Sequence, residues 1–149
     1  MKVLVSACLL GLDCRYCGTG KYIHELKSLS KEHQFIPVCP EQLGGLPTPR
    51  NPVELREGRA VEQDGTDRTE QFSKGAAESL KLAEYFECKT AILKANSPSC
   101  GYGQIYDGTF NGKLKAGKGL TSELLHKKGI KIFTEESLDE FIAYAKRIG

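Results

Sequence analysis

The chain has 149 residues, of which 40% are hydrophobic and 27% charged, and it contains 16 glycines and six cysteines. This ordinary globular composition excludes disorder, a collagen repeat and a coiled coil. Lysine and arginine exceed aspartate and glutamate by 21 − 19 = 2. So small an excess does not indicate a nucleic-acid polymer or a membrane surface as the partner, and it favours a small molecule.

The N-terminal residues and the apolar runs of the chain indicate the cellular compartment of the protein. No apolar run approaches the roughly 20 residues that a membrane span requires, and the N-terminal residues are too weakly basic for a signal peptide. Six cysteines without an export signal are typical of reduced thiols. We therefore expect a cytoplasmic protein with one α/β domain over residues 1–149.

The first third of the chain predicts two strands that end at cysteines. Residues 2–7 are short, apolar and β-branched, which predicts a buried strand ending at Cys8. A glycine-rich loop follows, and residues 21–33 predict a helix. A second strand covers residues 35–38 and ends at Cys39. Four prolines and two adjacent glycines between residues 40 and 52 then predict a long irregular loop of a functional kind.

The rest of the chain predicts helices that alternate with short strands. The final helix is expected to begin at Ser137, with Glu140 completing a capping box. The other predicted elements are a short hairpin or irregular segment over 54–64, a long helix over 66–87, a strand over 90–94, a glycine-rich turn segment over 105–119, a helix over 120–128 and a strand over 130–133.

This alternation predicts a three-layer, Rossmann-like α/β domain with a small, mostly parallel sheet of about four strands. Ligands of such sheets bind beyond the carboxyl ends of the strands. Cys8, Cys39 and Cys100 each lie at or just past the end of a predicted strand. We therefore expect their three thiols to meet at one edge of the sheet.

Three converging thiolates are able to hold a zinc ion or three irons of a [4Fe–4S] cluster, whose fourth iron then remains open as a Lewis acid. Buried packing is the alternative, because free cysteine is among the most buried residue types, and packing is what we expect of Cys88 at the end of the long helix. Cys14 and Cys17 form a C-x-x-C pattern, which indicates a redox pair or half of a zinc site.

Polar side chains in the same loops are candidates for chemistry on a bound molecule. Near an open iron, Glu41 is a candidate general base, and Ser97 is a candidate for orienting a carbonyl or thiocarbonyl group. The candidate substrate-binding residues are Arg15, Arg50, Asn96 and Ser99.

Six segments together resemble the DUF523 family, in order and over nearly the whole chain. They are VSACLLG at 5–11, CRY at 14–16, PVCPE at 37–41, GGLPTPR at 44–50, SPSCG at 97–101 and IYDGTF at 105–110. The family includes a [4Fe–4S] enzyme that replaces the sulfur of 2-thiouracil with oxygen. The resemblance implies a [4Fe–4S] cluster on Cys8, Cys39 and Cys100, with a carboxylate and a serine at Glu41 and Ser97.

We therefore expect a [4Fe–4S]-dependent desulfidase that acts on a small thiocarbonyl compound such as a thiolated nucleobase. The alternative is a non-enzymatic module that holds structural zinc or a stored cluster, and a weaker alternative is thiol redox chemistry at Cys14 and Cys17. One position departs from the family pattern, since Cys17 stands where an aspartate or asparagine is usual. This places an additional thiol in the loop next to the expected cluster.

Overall fold

A four-stranded sheet with only parallel pairings forms the centre of the protein. The computed structural model describes residues 1–149. The strands of this sheet are β1 (Lys2–Ser6), β2 (Gln34–Val38), β5 (Thr90–Leu93) and β8 (Lys131–Thr134), and they lie in the order β2-β1-β5-β8. Two antiparallel hairpins stand apart from it, namely β3 (Val53–Arg56) with β4 (Arg59–Glu62) and β6 (Tyr102–Tyr106) with β7 (Leu114–Lys118).

Helices cover both faces of the sheet, as the predicted three-layer class requires. The helices are α1 (His24–Leu29), α2 (Pro40–Leu43), α3 (Thr69–Tyr85), α4 (Leu120–Lys127) and α5 (Leu138–Ile148). None of these helices combines the length and the apolar composition that a membrane span requires.

Alternate residues of each strand point into two separate apolar layers. On one face, Val3 and Val5 of β1 pack in a cluster with Leu26 of α1 and Phe141 of α5. On the other face, Leu4 packs in a cluster that includes side chains of α3 and α4, of which Ala83 and Leu125 are buried. This burial on both faces explains why the strands are continuous apolar runs.

Strand β1 lies at the point where the chain changes direction across the sheet. The connection from β1 to β2 runs through α1 on one face, whereas the connection from β2 to β5 returns through α3 on the other face. A crevice opens at such a point beyond the carboxyl ends of the strands. The segments that follow β1, β2 and β5 therefore share one edge of the sheet.

Short helix α2 is held at this edge by an unusually close contact with α3. A Cβ atom built on Gly75 of α3 would lie 1.9 Å from the carbonyl oxygen of Pro40, and one built on Gly44 would lie 2.0 Å from that of Gln71. Only glycine permits backbones to approach so closely. The two glycines therefore fix the position of α2, which carries Glu41.

Several predicted boundaries were wrong. β1 ends at Ser6 and a 3₁₀ helix over Ala7–Leu10 follows it, so Cys8 lies in that turn rather than at the strand end. The helix predicted over 21–33 spans only His24–Leu29, and the predicted loop after Cys39 begins with α2. The glycine-rich segment over 105–119 belongs to the β6–β7 hairpin.

The predicted capping box at Ser137 and Glu140 was also wrong. Ser137 is the cap residue directly before α5, as predicted, but its side chain makes no capping hydrogen bond there. A capping box forms at Thr134 instead, whose Oγ1 accepts a hydrogen bond from the Glu136 amide at 3.1 Å. Ser137 Oγ in turn accepts from the Thr134 amide at 3.0 Å. The box therefore starts a short 3₁₀ turn over Glu135–Ser137, one turn before α5.

Candidate active site

Four cysteines line one cavity of about 340 Å³ at the carboxyl edge of the sheet. Cys8 and Cys14 come from the turn and loop after β1, Cys39 directly follows β2, and Cys100 lies in the loop after β5. All four are free thiols, and all except the half-buried Cys39 are buried. The convergence of Cys8, Cys39 and Cys100 expected from the strand order is therefore present, with Cys14 in addition.

Burial and crowding keep the thiols of Cys8, Cys14 and Cys100 protonated in the protein alone. Burial, followed by repulsion from Cys100 and Cys14, raises the pKa of Cys8 to about 12. Burial and the neighbouring Cys39 likewise raise the pKa of Cys14 to about 12, and burial raises that of Cys100 to about 11. A metal group bound in the cavity would displace these protons, because a thiol that coordinates a metal is deprotonated.

The donor set of this cavity fits an iron–sulfur cluster. Every candidate ligand is a sulfur atom, and thiolates are the ligands that select zinc or iron–sulfur clusters. No three His, Cys, Asp or Glu side chains lie close enough together to hold a single metal ion. A donor set made only of sulfur, with no three ligands close enough for one metal ion, suits a cluster of several irons better than one zinc ion.

Glu41 lies in the same cavity and is clamped by Arg50. Arg50 Nε donates to Glu41 Oε1 at 2.9 Å, and the pair is largely buried, with 7% of the Arg50 side chain and 14% of the Glu41 side chain exposed. The other guanidinium nitrogens donate to the carbonyl oxygens of Cys14 and Pro47 and to the Thr48 hydroxyl. Arg50 thus ties the carboxylate to the loop that carries Cys14.

A chain of hydroxyl groups leads from Glu41 to Ser97. Ser99 Oγ donates to Glu41 Oε2 at 3.0 Å and lies 2.9 Å from Ser97 Oγ. Because the Ser99 proton points to the carboxylate, the Ser97 proton points to Ser99. Ser97 Oγ also accepts from the amides of Ser99 and Cys100, each at 3.1 Å, which fixes its position beside the thiols.

Lys94, which we did not predict as a site residue, brings a positive charge to the cavity. It directly follows β5, and its Nζ lies 3.0 Å from Glu135 Oε2. Its charge favours the thiolate of Cys8, against the stronger effect of burial. The position of Lys94 at the end of a predicted strand could have identified it as a site residue. No local pattern in the sequence identified Glu135, its ion-pair partner, which precedes α5.

The remaining predicted residues divide between the cavity and its surroundings. Arg15 lines the cavity, with Nη1 3.4 Å from the carbonyl oxygen of Gly20. Asn96 does not line it and instead has a left-handed backbone conformation at φ 69°. Cys17 is exposed outside the cavity and lies 3.0 Å from the Thr19 hydroxyl, which lowers the pKa of its thiol.

Three further side chains of the cavity were absent from our sequence predictions. Tyr16 lies beside Cys14, Glu54 lies in β3, and Tyr106 ends β6. The two tyrosines lie in segments that match the family motifs, but the motifs gave them no role. Glu54 lies in a hairpin whose sequence contains no motif of a functional site. Glu54 and Tyr106 reach the cavity because both hairpins pack beside the carboxyl edge of the sheet, whereas Tyr16 lies in the loop after β1.

The fold and the thiol-lined cavity define a class of protein that family comparison identifies. Residues 3–137 match the model of the 2-thiouracil desulfurase family, so the chain belongs to this family. A protein of Bacillus subtilis strain 168 that is known only as uncharacterized protein YbbK is 39% identical to it. That alignment covers 94% of this chain and 99% of YbbK.

A solved structure gives a closer comparison. The chain superposes on the [4Fe–4S]-dependent thiouracil desulfidase TudS (DUF523Vcz) with a TM-score of 0.93 and 43% identity, over 99% of each chain. These findings confirm the predicted DUF523 resemblance and favour an iron–sulfur desulfidase over a non-enzymatic metal-binding module.

Proposed function

We propose that the protein is a [4Fe–4S]-dependent desulfidase that exchanges sulfur for oxygen in a small thiocarbonyl compound such as a thiolated nucleobase. The observation that carries this proposal is the joint presence of three strand-end thiols and the Glu41–Ser99–Ser97 chain in one cavity. Family membership and the similarity to TudS support it. The six free thiols suit a reducing cytoplasm.

Cys8, Cys39 and Cys100 would hold the cluster. Once bound, a cluster with three protein ligands supplies an open iron, a Lewis acid that polarises the thiocarbonyl sulfur. Lys94 and Arg50 supply positive charge around a cavity that gains thiolates when the cluster binds. They thereby offset part of the repulsion that otherwise raises the pKa of the thiols.

The hydroxyl chain supplies the general base. A proton from a water molecule or from Ser97 Oγ passes to Ser99 Oγ, and the Ser99 proton passes to Glu41 Oε2. Arg50 holds the opposite oxygen of Glu41, so the accepting oxygen keeps its orientation. We assign Arg50 a positioning role because all its guanidinium nitrogens are engaged within the protein.

The overall reaction balances without an electron donor. Water adds its oxygen to the thiocarbonyl carbon, the carbon–sulfur bond breaks, and sulfur leaves as hydrosulfide. The exchange is hydrolytic, so no nicotinamide or flavin is needed. Arg15, which lines the cavity, would bind a carbonyl oxygen of the substrate.

Sulfide release after anaerobic reconstitution tests this proposal. The reconstituted protein is expected to hold about four irons and to release sulfide from 2-thiouracil or 4-thiouracil, with the oxygen analogue as product. The control is a Cys8→Ala/Cys39→Ala/Cys100→Ala variant, which is expected to lack both iron and activity. A triple variant that still holds the iron would disprove the ligand assignment. A fully loaded protein that releases no sulfide from any thiolated base or nucleoside would disprove the activity.

A further inference from the structure

The polar side chains next to Cys100 in the cavity hydrogen-bond to one another and to backbone groups. Arg50 uses all three guanidinium nitrogens, and Glu41 uses both carboxylate oxygens. Ser97 and Ser99 are committed to Glu41 and to backbone amides. A bound molecule must therefore find its own recognition groups elsewhere in the cavity.

Glu54 in β3 offers such a group. Its Oε1 accepts two hydrogen bonds, from the amide of Gly108 at 2.9 Å and from that of Phe110 at 3.0 Å. Its Oε2 makes no hydrogen bond within the chain, and Glu54 lines the cavity as a half-buried side chain. One oxygen thus anchors the tip of the β6–β7 hairpin while the other remains available.

Two tyrosine side chains also line this cavity. Tyr16 and Tyr106 both line it, and they are among the few large apolar side chains of the protein that stay exposed. Tyr106 ends β6 directly before the hairpin tip that Glu54 holds. Arg56 braces this tip from outside the cavity, since its Nε donates to the Gly108 carbonyl at 2.6 Å and its guanidinium lies 5.3 Å from the Phe110 ring centre.

We propose that Glu54 Oε2 accepts the ring N–H of a planar heterocycle and that Tyr16 and Tyr106 pack against its faces. This inference rests on the proposed desulfidase function and narrows its substrates to cyclic thioamides with a free ring N–H. An aromatic ring packs well against a flat heterocycle, and a carboxylate accepts an N–H more strongly than a neutral group does.

A simple consequence is discrimination against N-methylated rings. Replacing the N–H by N–CH₃ leaves the carboxylate oxygen unpaired and adds bulk at the same point. A lost hydrogen bond to a charged group corresponds to about 10- to 100-fold in affinity. Tyr106 and Tyr16 pack equally well against methylated and unmethylated rings. Their loss therefore weakens the binding of both without changing the preference for the unmethylated ring.

Equilibrium dialysis of uracil against the cluster-loaded protein tests the proposal without turnover. The unmodified protein is expected to bind uracil about 10- to 100-fold more tightly than whichever of 1-methyluracil and 3-methyluracil lacks the N–H that Glu54 accepts, and to bind the other about as tightly as uracil. Glu54→Gln, which keeps an oxygen for the hairpin tip, is expected to lose this preference. Tyr106→Leu is expected to weaken all three ligands alike, and Tyr106→Phe to bind them normally.

Arg56→Ala is the matched control, because it loosens the same hairpin tip without removing a cavity group. It is expected to keep the preference for uracil. Equal binding of uracil and both methylated forms by the unmodified protein would overturn the proposal, and so would loss of the preference in Arg56→Ala. A retained preference in a protein that releases no sulfide would instead reject only the desulfidase function.

Discussion

Cys88 and Cys100 are the same residue type with almost the same burial, yet they lie at opposite ends of the parallel sheet. Their exposed fractions are 3% and 4%, both belong to one apolar cluster, and burial raises the pKa of both thiols. Cys88 precedes β5 and has apolar neighbours, with its amide bonded to the Ala83 carbonyl. Cys100 follows β5 and faces the cavity that holds Glu41 and Ser99.

This contrast shows that burial alone does not distinguish a ligand from a packed thiol. The difference is the end of the sheet on which each residue lies. Long loops converge at the carboxyl end and bring Glu41 and Ser99 into the cavity that Cys100 lines, whereas Cys88 lies outside this cavity in an apolar cluster.

Alanine at the two cysteines gives the most direct comparison. Cys100→Ala removes a proposed ligand, so we expect cluster loading and sulfide release to be lost. Cys88→Ala is expected to keep both and to lower the free energy of unfolding by about 1 kcal/mol, because it leaves a small cavity. Iron analysis after anaerobic reconstitution and thermal unfolding measure the two effects. If Cys88→Ala loses iron as Cys100→Ala does, the contrast between the two sheet ends is wrong.

Glu41→Gln tests the chemistry at the carboxyl end without removing a ligand. The amide keeps the size of the side chain but cannot take a proton from Ser99, so we expect kcat to fall by about 10²- to 10⁴-fold. Iron content should stay unchanged. The reverse outcome, normal turnover with lost iron, would give Glu41 a structural role instead of a role as base.

Gly75→Ala tests how the fold positions α2. The new Cβ would lie 1.9 Å from the Pro40 carbonyl oxygen, so α2 must move. We expect a loss of about 1–3 kcal/mol in the free energy of unfolding together with a lower kcat, because Glu41 moves with α2. Lys74→Ala, at an exposed position on α3, is the control and should change neither. A stabilised, fully active Gly75→Ala protein would show that the close helix contact is not required.

The smallest effect is a pH-dependent one at Glu62, away from the cavity. Hydrogen bonds from Asn51 at 2.9 Å and Arg68 at 2.6 Å hold the pKa of this carboxyl below its ordinary value of 4.5. Its contribution to stability is therefore present above that value and is lost as the pH falls through the lowered pKa. Glu62→Gln should lower Tm near neutral pH, with a gap from the unmodified protein that closes on acidification.

The control for this measurement is Glu84→Gln, which removes a charge from an exposed position on α3. Its Tm should follow that of the unmodified protein at every pH. A Glu62→Gln gap that stays constant from neutral to acidic pH would show that the ionised form of Glu62 adds no stability.

Much of this organisation follows from the order of residues along the chain. The apolar runs and their spacing predicted four strands, the three-layer class and the edge at which Cys8, Cys39 and Cys100 meet, because parallel strands end on the same side. The motifs predicted the family that comparison then confirmed. The roles of Glu41 and Ser97, and the action of the whole chain as one domain, stay predictions.

Local signals could not predict the contacts that join distant segments. The Ser99–Glu41 hydrogen bond spans 58 positions and that between Glu54 and the Phe110 amide spans 56, so no local pattern contains them. The β6–β7 hairpin was missed because its glycines and turn pairs outweighed a weak strand pattern. Arg50 was expected to bind substrate, and only its neighbours in space revealed that its donors are engaged within the protein.

The sequence by itself determined the class of fold, the family and the edge of the sheet at which Cys8, Cys39 and Cys100 meet. The tertiary structure decided that Cys14 joins Cys8, Cys39 and Cys100 in the cavity, while Cys17 remains outside it. The physical reason is that hydrophobic periodicity is local and fixes which elements form. Which side chains meet depends instead on loops whose paths are set by close backbone contacts and hydrogen bonds between distant parts of the chain.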